Sequence, residues 1–209
     1  MSGKTLTGLL AALVVAAMVL RPGAPQGASD DWRIQNEHPG DGPIVCLGDS
    51  LTAGFGAEPG RSYPDVLHEI LGREIVNRGR NGDTAGDALA RLDDVVALRP
   101  KAVVVTLGGN DMLQRLPIPQ TVAAMTRIFD RLLDQGTMVA FVAIDPPLTS
   151  SARMDAIRAL CRQRGVLWIG DAMTGLWQDR TRMTDQIHPN AAGYRIMAER
   201  VAGALRPRL

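Results

Sequence analysis

Apolar residues in this chain fall into short runs that alternate with stretches repeating every three or four positions. Short bounded runs predict buried strands, and the longer repeats predict amphipathic helices. Ile44 to Leu47 predicts a first strand. Ser62 to Leu71 predicts a helix with Pro64 in its first turn, where a missing N–H costs nothing. Glu74 to Asn77 predicts a short second strand, and Thr84 with Asp87 three residues on resembles a capping box opening a helix to Leu98. Ala102 to Leu107 is an apolar run of the kind covered on both faces, a third strand. Val122, Met125, Ile128, Phe129, Leu132 and Leu133 then recur at helical spacing, and Gly136 ends that helix. Met138 to Ile144 predicts a fourth strand, Ser151 to Arg164 a helix stopped by Gly165, Val166 to Ile169 a fifth strand, and Asn190 to Leu205 a closing helix.

Strand and helix alternate five times, with no internal repeat. That pattern predicts an α/β three-layer sandwich: a five-stranded parallel sheet in the flavodoxin-like order 2-1-3-4-5, with helices on both faces. Ligands of such sheets bind beyond the carboxyl ends of the strands, where the strand order reverses. Polar residues at those ends therefore carry the functional information.

The first part of the chain departs from this pattern. Lys4 precedes an apolar run from Leu6 to Leu20 that is interrupted only by Thr7 and Gly8. A positive start and a run of this length read as a signal peptide or an N-terminal anchor over residues 1–28, which makes the domain exported, periplasmic or extracellular, with a membrane tether if the segment is not cleaved. Residues 29–42, part of a stretch rich in Pro, Gly, Asp and Asn, read as a tether, with Trp32 and Ile34 able to pack on the domain; residues 43–209 read as the folded domain.

Composition narrows the function classes. The 209 residues are 45% hydrophobic, enough for one well-buried domain. Net charge is +1 and no run of Lys or Arg occurs, so a nucleic-acid partner is not indicated. Two cysteines, Cys46 and Cys161, are too few for a disulfide scaffold and read as buried thiols. No phosphate-binding glycine loop and no histidine or cysteine metal motif is present, so neither a cofactor nor a metal is required.

Four polar segments stand at strand ends or in late loops: Gly48-Asp49-Ser50-Leu51, Asn81-Gly82-Asp83-Thr84, Gly108-Gly109-Asn110-Asp111 and Asp185-Gln186-Ile187-His188-Pro189. With the first strand between the second and third, Ser50 is flanked by Gly82 and Asn110. This suits acyl transfer. A serine hydroxyl needs a base, histidine is the usual one, and a carboxylate three residues earlier can orient it. The oxyanion needs donors, which the N–H groups of Ser50 and Gly82 and the Asn110 amide can supply. Asp49, Asp83 and Asp111 read as hydrogen-bond partners that shape these loops. His38 and His68 read as surface residues.

These four segments, in order and spacing, resemble the SGNH hydrolases, also called GDSL esterases and lipases, over roughly residues 43 to 205. "NGDTAGDALARL" and "LGGNDML" look most like the bacterial thioesterase, lysophospholipase and arylesterase branch. The resemblance implies a serine hydrolase of carboxylic esters or thioesters that works through an acyl-enzyme. It implies Ser50, Asp185 and His188 as the catalytic triad and Ser50, Gly82 and Asn110 as the oxyanion hole. The segment after the fourth strand, Asp145-Pro146-Pro147-Leu148-Thr149, is shorter than in that branch. An O-acetyl-glycan deacetylase using the same triad, or a binding module that kept the fold, are the alternatives. Met112, Leu113, Leu116 and Ile118, just after Asn110, are expected to form an apolar lip that binds the acyl chain of a small-molecule substrate.

Overall fold

The computed structural model describes residues 32–144 and 152–209. Five parallel strands, β1 (Ile44–Gly48), β2 (Ile75–Gly79), β3 (Ala102–Thr106), β4 (Met138–Val142) and β5 (Leu167–Ile169), form one sheet in the order β2-β1-β3-β4-β5. This is the predicted order. Gly48 pairs with Gly79 on one side and with Thr106 on the other. The carboxyl ends of β1, β2 and β3 therefore lie level with one another.

The strands are apolar on both faces because both are covered. Ile44, Cys46, Val104, Ala140 and Val142 point into a core shared with α2 (Tyr63–Leu71) and α8 (Ala191–Leu205). Val45, Leu47, Val103, Val105 and Phe141 point into a second core. Most of its other residues come from α3 (Ala85–Ala90), α4 (Leu92–Val96), α6 (Ile118–Leu133) and α7 (Ala152–Arg164). Burying each such aliphatic side chain contributes about 1.5–3 kcal/mol, which sets the three-layer arrangement. Cys46 and Cys161 are buried in cores on opposite faces of the sheet and are not joined. Two short helices, α1 (Ser50–Ala53) and α5 (Gly109–Leu113), follow β1 and β3.

The structure revises three expectations. The helix expected from Thr84 to Leu98 begins with the predicted capping box but breaks at Arg91 (φ −114°, ψ 14°) into α3 and α4. The Arg91 guanidinium there reaches Asp83 and the Gly48 carbonyl. β2 runs on to Gly79, two residues beyond Asn77. The Asn77 side chain accepts from Gly79 N–H and donates to the Thr52 carbonyl at 2.9 Å, tying the strand end to α1. The stretch 29–42, expected as a tether with Trp32 and Ile34 able to pack, is held against the domain from Trp32 to Gln35 by more than those two side chains. Trp32 donates to the Val166 carbonyl at 3.0 Å, Ile34 is buried in the first core, and Gln35 N–H bonds Gly165. Apolar residues two apart bury one side of an extended segment, and that outweighs the surrounding Pro and Gly. The signal or anchor over 1–28 lies outside the described residues. Among the described residues, no helix is long and apolar enough to cross a membrane.

Candidate active site

Ser50 opens α1 directly after β1. Asp49 caps this helix, its carboxylate accepting from Leu51 N–H at 3.0 Å. The turn sits hard against the sheet. A Cβ on Gly48 would stand 2.1 Å from the Thr52 hydroxyl, and one on Gly79 would stand 2.1 Å from the Ala53 nitrogen. Only glycine at both positions lets α1 settle onto the strand ends and lift Ser50 above them.

His188 arrives from the far end of the chain. Asp185 shapes its turn: one carboxylate oxygen accepts the N–H groups of Ile187 and His188, both at 2.7 Å. The other accepts from His188 Nδ1 at 2.8 Å. Burial works to raise the Asp185 carboxyl, but these hydrogen bonds outweigh it and hold the group below the ordinary carboxylate range. Asn190 then caps α8 and fixes the downstream side of the block. His188 Nε2 lies 2.9 Å from Ser50 Oγ. With Nδ1–H bonded to a carboxylate, Nε2 is left as an acceptor for the serine proton.

On the opposite flank, Gly82 and Asn110 face the same space. Gly82 has φ of 84°, and a Cβ built there would meet nothing within 4 Å. The Asn110 amide donates to the Asp83 carbonyl at 2.9 Å and to the Asp49 carboxyl at 3.3 Å. Each of the three candidate oxyanion residues thus has an aspartate beside it. Asp83 pairs with Arg91 at 2.7 Å. Asp111 accepts from Ala85 N–H at 2.9 Å and from the Thr121 hydroxyl at 2.8 Å, joining the Gly82 loop to the Asn110 loop. Asp49 is 3% exposed. Burial first, then the charges of Asp83 and Asp111, push its carboxyl up to about 7.

Ser50, Gly82, Asn110 and His188 line one cleft of about 420 Å³. Of the residues expected at its lip, Met112 and Leu113 line it, whereas Leu116 and Ile118 do not. The reason is local. α5 stops at Leu113, Arg115 takes a left-handed φ of 57°, and Leu116 N–H turns back to the Asp111 carbonyl. Leu116 instead offers its carbonyl to Arg153 at 2.6 Å, and Ile118 begins α6. The apolar wall is completed by Phe55, Ile144, Met154, Trp177 and Ile187, which sequence reasoning did not single out. They come from five separate segments, so no local spacing marks them. Ile187, next to His188, and Ile144, at the carboxyl end of the expected fourth strand, carried a positional signal.

Residues 46–196 match the GDSL-like Lipase/Acylhydrolase family. Esterase TesA of Pseudomonas aeruginosa is 27% identical over 178 residues, covering 79% of this chain and 89% of that one. Thioesterase 1/protease 1/lysophospholipase L1 of Escherichia coli K12 is 28% identical over 173 residues, covering 78% and 83%. An arylesterase of Vibrio mimicus is 31% identical over 110 residues, which span 50% of this chain and only 55% of that one. The crystal structure of TesA superposes with a TM-score of 0.74 at 26% identity, covering 80% of this chain and 99% of that one. The chain therefore belongs to the GDSL-like lipase/acylhydrolase family and is an esterase-type hydrolase.

Proposed function

We propose that the protein hydrolyses carboxylic esters or thioesters of apolar acyl groups through an acyl-enzyme on Ser50. The observation that carries this reading is the hydrogen-bonded series Ser50 Oγ, His188, Asp185 at the edge of a cleft walled by apolar side chains. Ser50 Oγ attacks the acyl carbon as His188 Nε2 takes its proton. The carbonyl oxygen becomes an oxyanion held by the N–H groups of Ser50 and Gly82 and by the Asn110 amide. Collapse expels the alcohol or thiol, which takes the proton back from His188. Water then repeats the sequence to free the acid, with His188 as base. Asp185 keeps the imidazole in the required tautomer and stabilises its charged form.

Met112 and Leu113 follow Asn110 directly, so the acyl chain lies along them, with Ile144 and Met154 beyond. Each buried methylene adds up to about 0.8 kcal/mol of binding. At a fixed leaving group, kcat/KM should rise from acetyl to medium-length acyl esters and then fall once the chain outgrows the cleft. Leu113→Ser should flatten that rise, and Leu116→Ser, whose side chain lies outside the cleft lining, should not. A strong preference for acetyl esters would overturn the acyl assignment. The Lys4 and Leu6 to Leu20 pattern supports work outside the cytoplasm. Recovery of the full-length chain from the soluble cytosol would overturn that part.

A further inference from the structure

Among the described residues, three large hydrophobic side chains are exposed: Phe55 at 48%, Leu113 at 58% and Ile187 at 39%. All three line the cleft. Leu113 belongs to the acyl side already described. Phe55 lines the cleft against the imidazole, and Ile187 lines it from the position just before His188. The Phe55 ring lies 4.6 Å from that of His188, centroid to centroid, tilted by 54°. Ile187 is its chain neighbour.

The Phe55 backbone is fixed from both sides. Its N–H donates to the Ser50 carbonyl at 3.0 Å, and its carbonyl accepts from the Tyr194 hydroxyl at 2.8 Å. Next to it, the Gly56 carbonyl accepts from the Thr184 hydroxyl. Thr184 N–H in turn bonds the His188 carbonyl at 2.8 Å. The loop is thus tied to the serine turn and to the histidine turn at once. It carries a half-exposed aromatic ring that fills no core. Side chains left in water at a fixed position beside reacting groups are suited to meet a ligand.

The chemistry decides which part of the ligand that is. As the tetrahedral intermediate collapses, the C–O bond to the leaving alcohol breaks and its oxygen takes the proton held on His188 Nε2. That oxygen must therefore lie within hydrogen-bond reach of Nε2. The group it carries then projects along the imidazole side, away from Met112 and Leu113. We propose that Phe55 and Ile187 form a leaving-group subsite that favours esters of aryl or bulky apolar alcohols over those of small alcohols. The inference rests on the assignment of His188 as the proton donor. An aryl leaving group would stack against Phe55 in the tilted or offset geometry that aromatic pairs prefer.

The test compares phenyl butyrate with ethyl butyrate, which share an acyl group. The readout is the ratio of their kcat/KM values, because kcat/KM reports acylation, the step that contains the leaving group. Phe55→Ala should lower the ratio by about tenfold, and Phe55→Tyr should restore it. Ile187→Ala, the second variant, should lower it by about threefold. The reverse step gives a second measurement. The acyl-enzyme accepts an alcohol and releases an ester with Ser50 restored, so added benzyl alcohol should capture more acyl group than equimolar methanol, and Phe55→Ala should erase that preference. A ratio that stays within about twofold in both alanine variants overturns the subsite. So does an equal loss on both esters, which would make Phe55 a support for His188 alone. No turnover of either ester by the unaltered chain would overturn the esterase reading and this inference together, whereas turnover with an unmoved ratio overturns the inference alone.

Discussion

Replacing Asn110 by alanine removes a side-chain amide that already makes two hydrogen bonds before substrate arrives, 2.9 Å to the Asp83 carbonyl and 3.3 Å to the Asp49 carboxyl. The longer bond is the weaker, so on the proposed mechanism the Asp49-directed N–H is the one free to turn to the oxyanion. Losing one such donor costs about 10²–10³ in kcat, equivalent to about 2.7–4 kcal/mol of transition-state stabilisation. The ground-state carbonyl carries far less charge, so KM should shift by no more than about threefold. Stability should fall as well. The Asp49 carboxyl, 3% exposed, loses a partner that no water replaces freely, at a cost of about 1–3 kcal/mol. Saturating single-turnover acylation by a nitrophenyl ester measures the first effect, and calorimetric unfolding at the same pH measures the second. A kcat within about tenfold of the unaltered enzyme, or a loss confined to KM, would refute the oxyanion role.

His188→Ala should lower kcat by about 10⁴ or more, and Asp185→Ala by less. The Asp185 side chain is 45% exposed, so water can take part of its place; steady-state kinetics in the reverse order would contradict this. The Asp49 carboxyl titrates at about 7 in the fold against an ordinary value of 3.8. Its raised value means that the stability it contributes is complete below 3.8 and is lost as pH rises through about 7. The stability of the unaltered chain relative to Asp49→Asn should therefore decline from about pH 4 to about pH 8, and denaturant midpoints showing a constant difference would refute it. Gly79→Ala should destabilise the fold by several kcal/mol, because its Cβ would overlap the Ala53 nitrogen at 2.1 Å; a thermal midpoint unchanged by the substitution would refute that packing.

Where local physics and tertiary packing agree, the chain could be read directly. The strands were legible because both faces are covered, so Val103, Val104 and Val105 form an unbroken run. The polar blocks were legible because a strand that ends in Gly-Asp-Ser or Gly-Gly-Asn must expose those groups at the sheet edge. Reading failed where a single residue redirects the backbone. Met112, Leu113 and Leu116 share a helical spacing, but the left-handed Arg115 turns Leu116 out of the cleft. Arg91 breaks a well-capped helix because its guanidinium is drawn to Asp83, a contact that no periodicity encodes. Phe55 was invisible for a third reason. Its flanking glycines suggest a turn, and only the fold brings that turn against a histidine 133 positions away.

The central claim is that Ser50 is made nucleophilic by His188. Treatment with a fluorophosphonate, followed by mass spectrometry of the digested chain, tests it most directly. One covalent adduct on the peptide that contains Ser50 is expected, lost in Ser50→Ala and strongly slowed in His188→Ala. An adduct on another residue, or labelling of Ser50 at the same rate without His188, would contradict it.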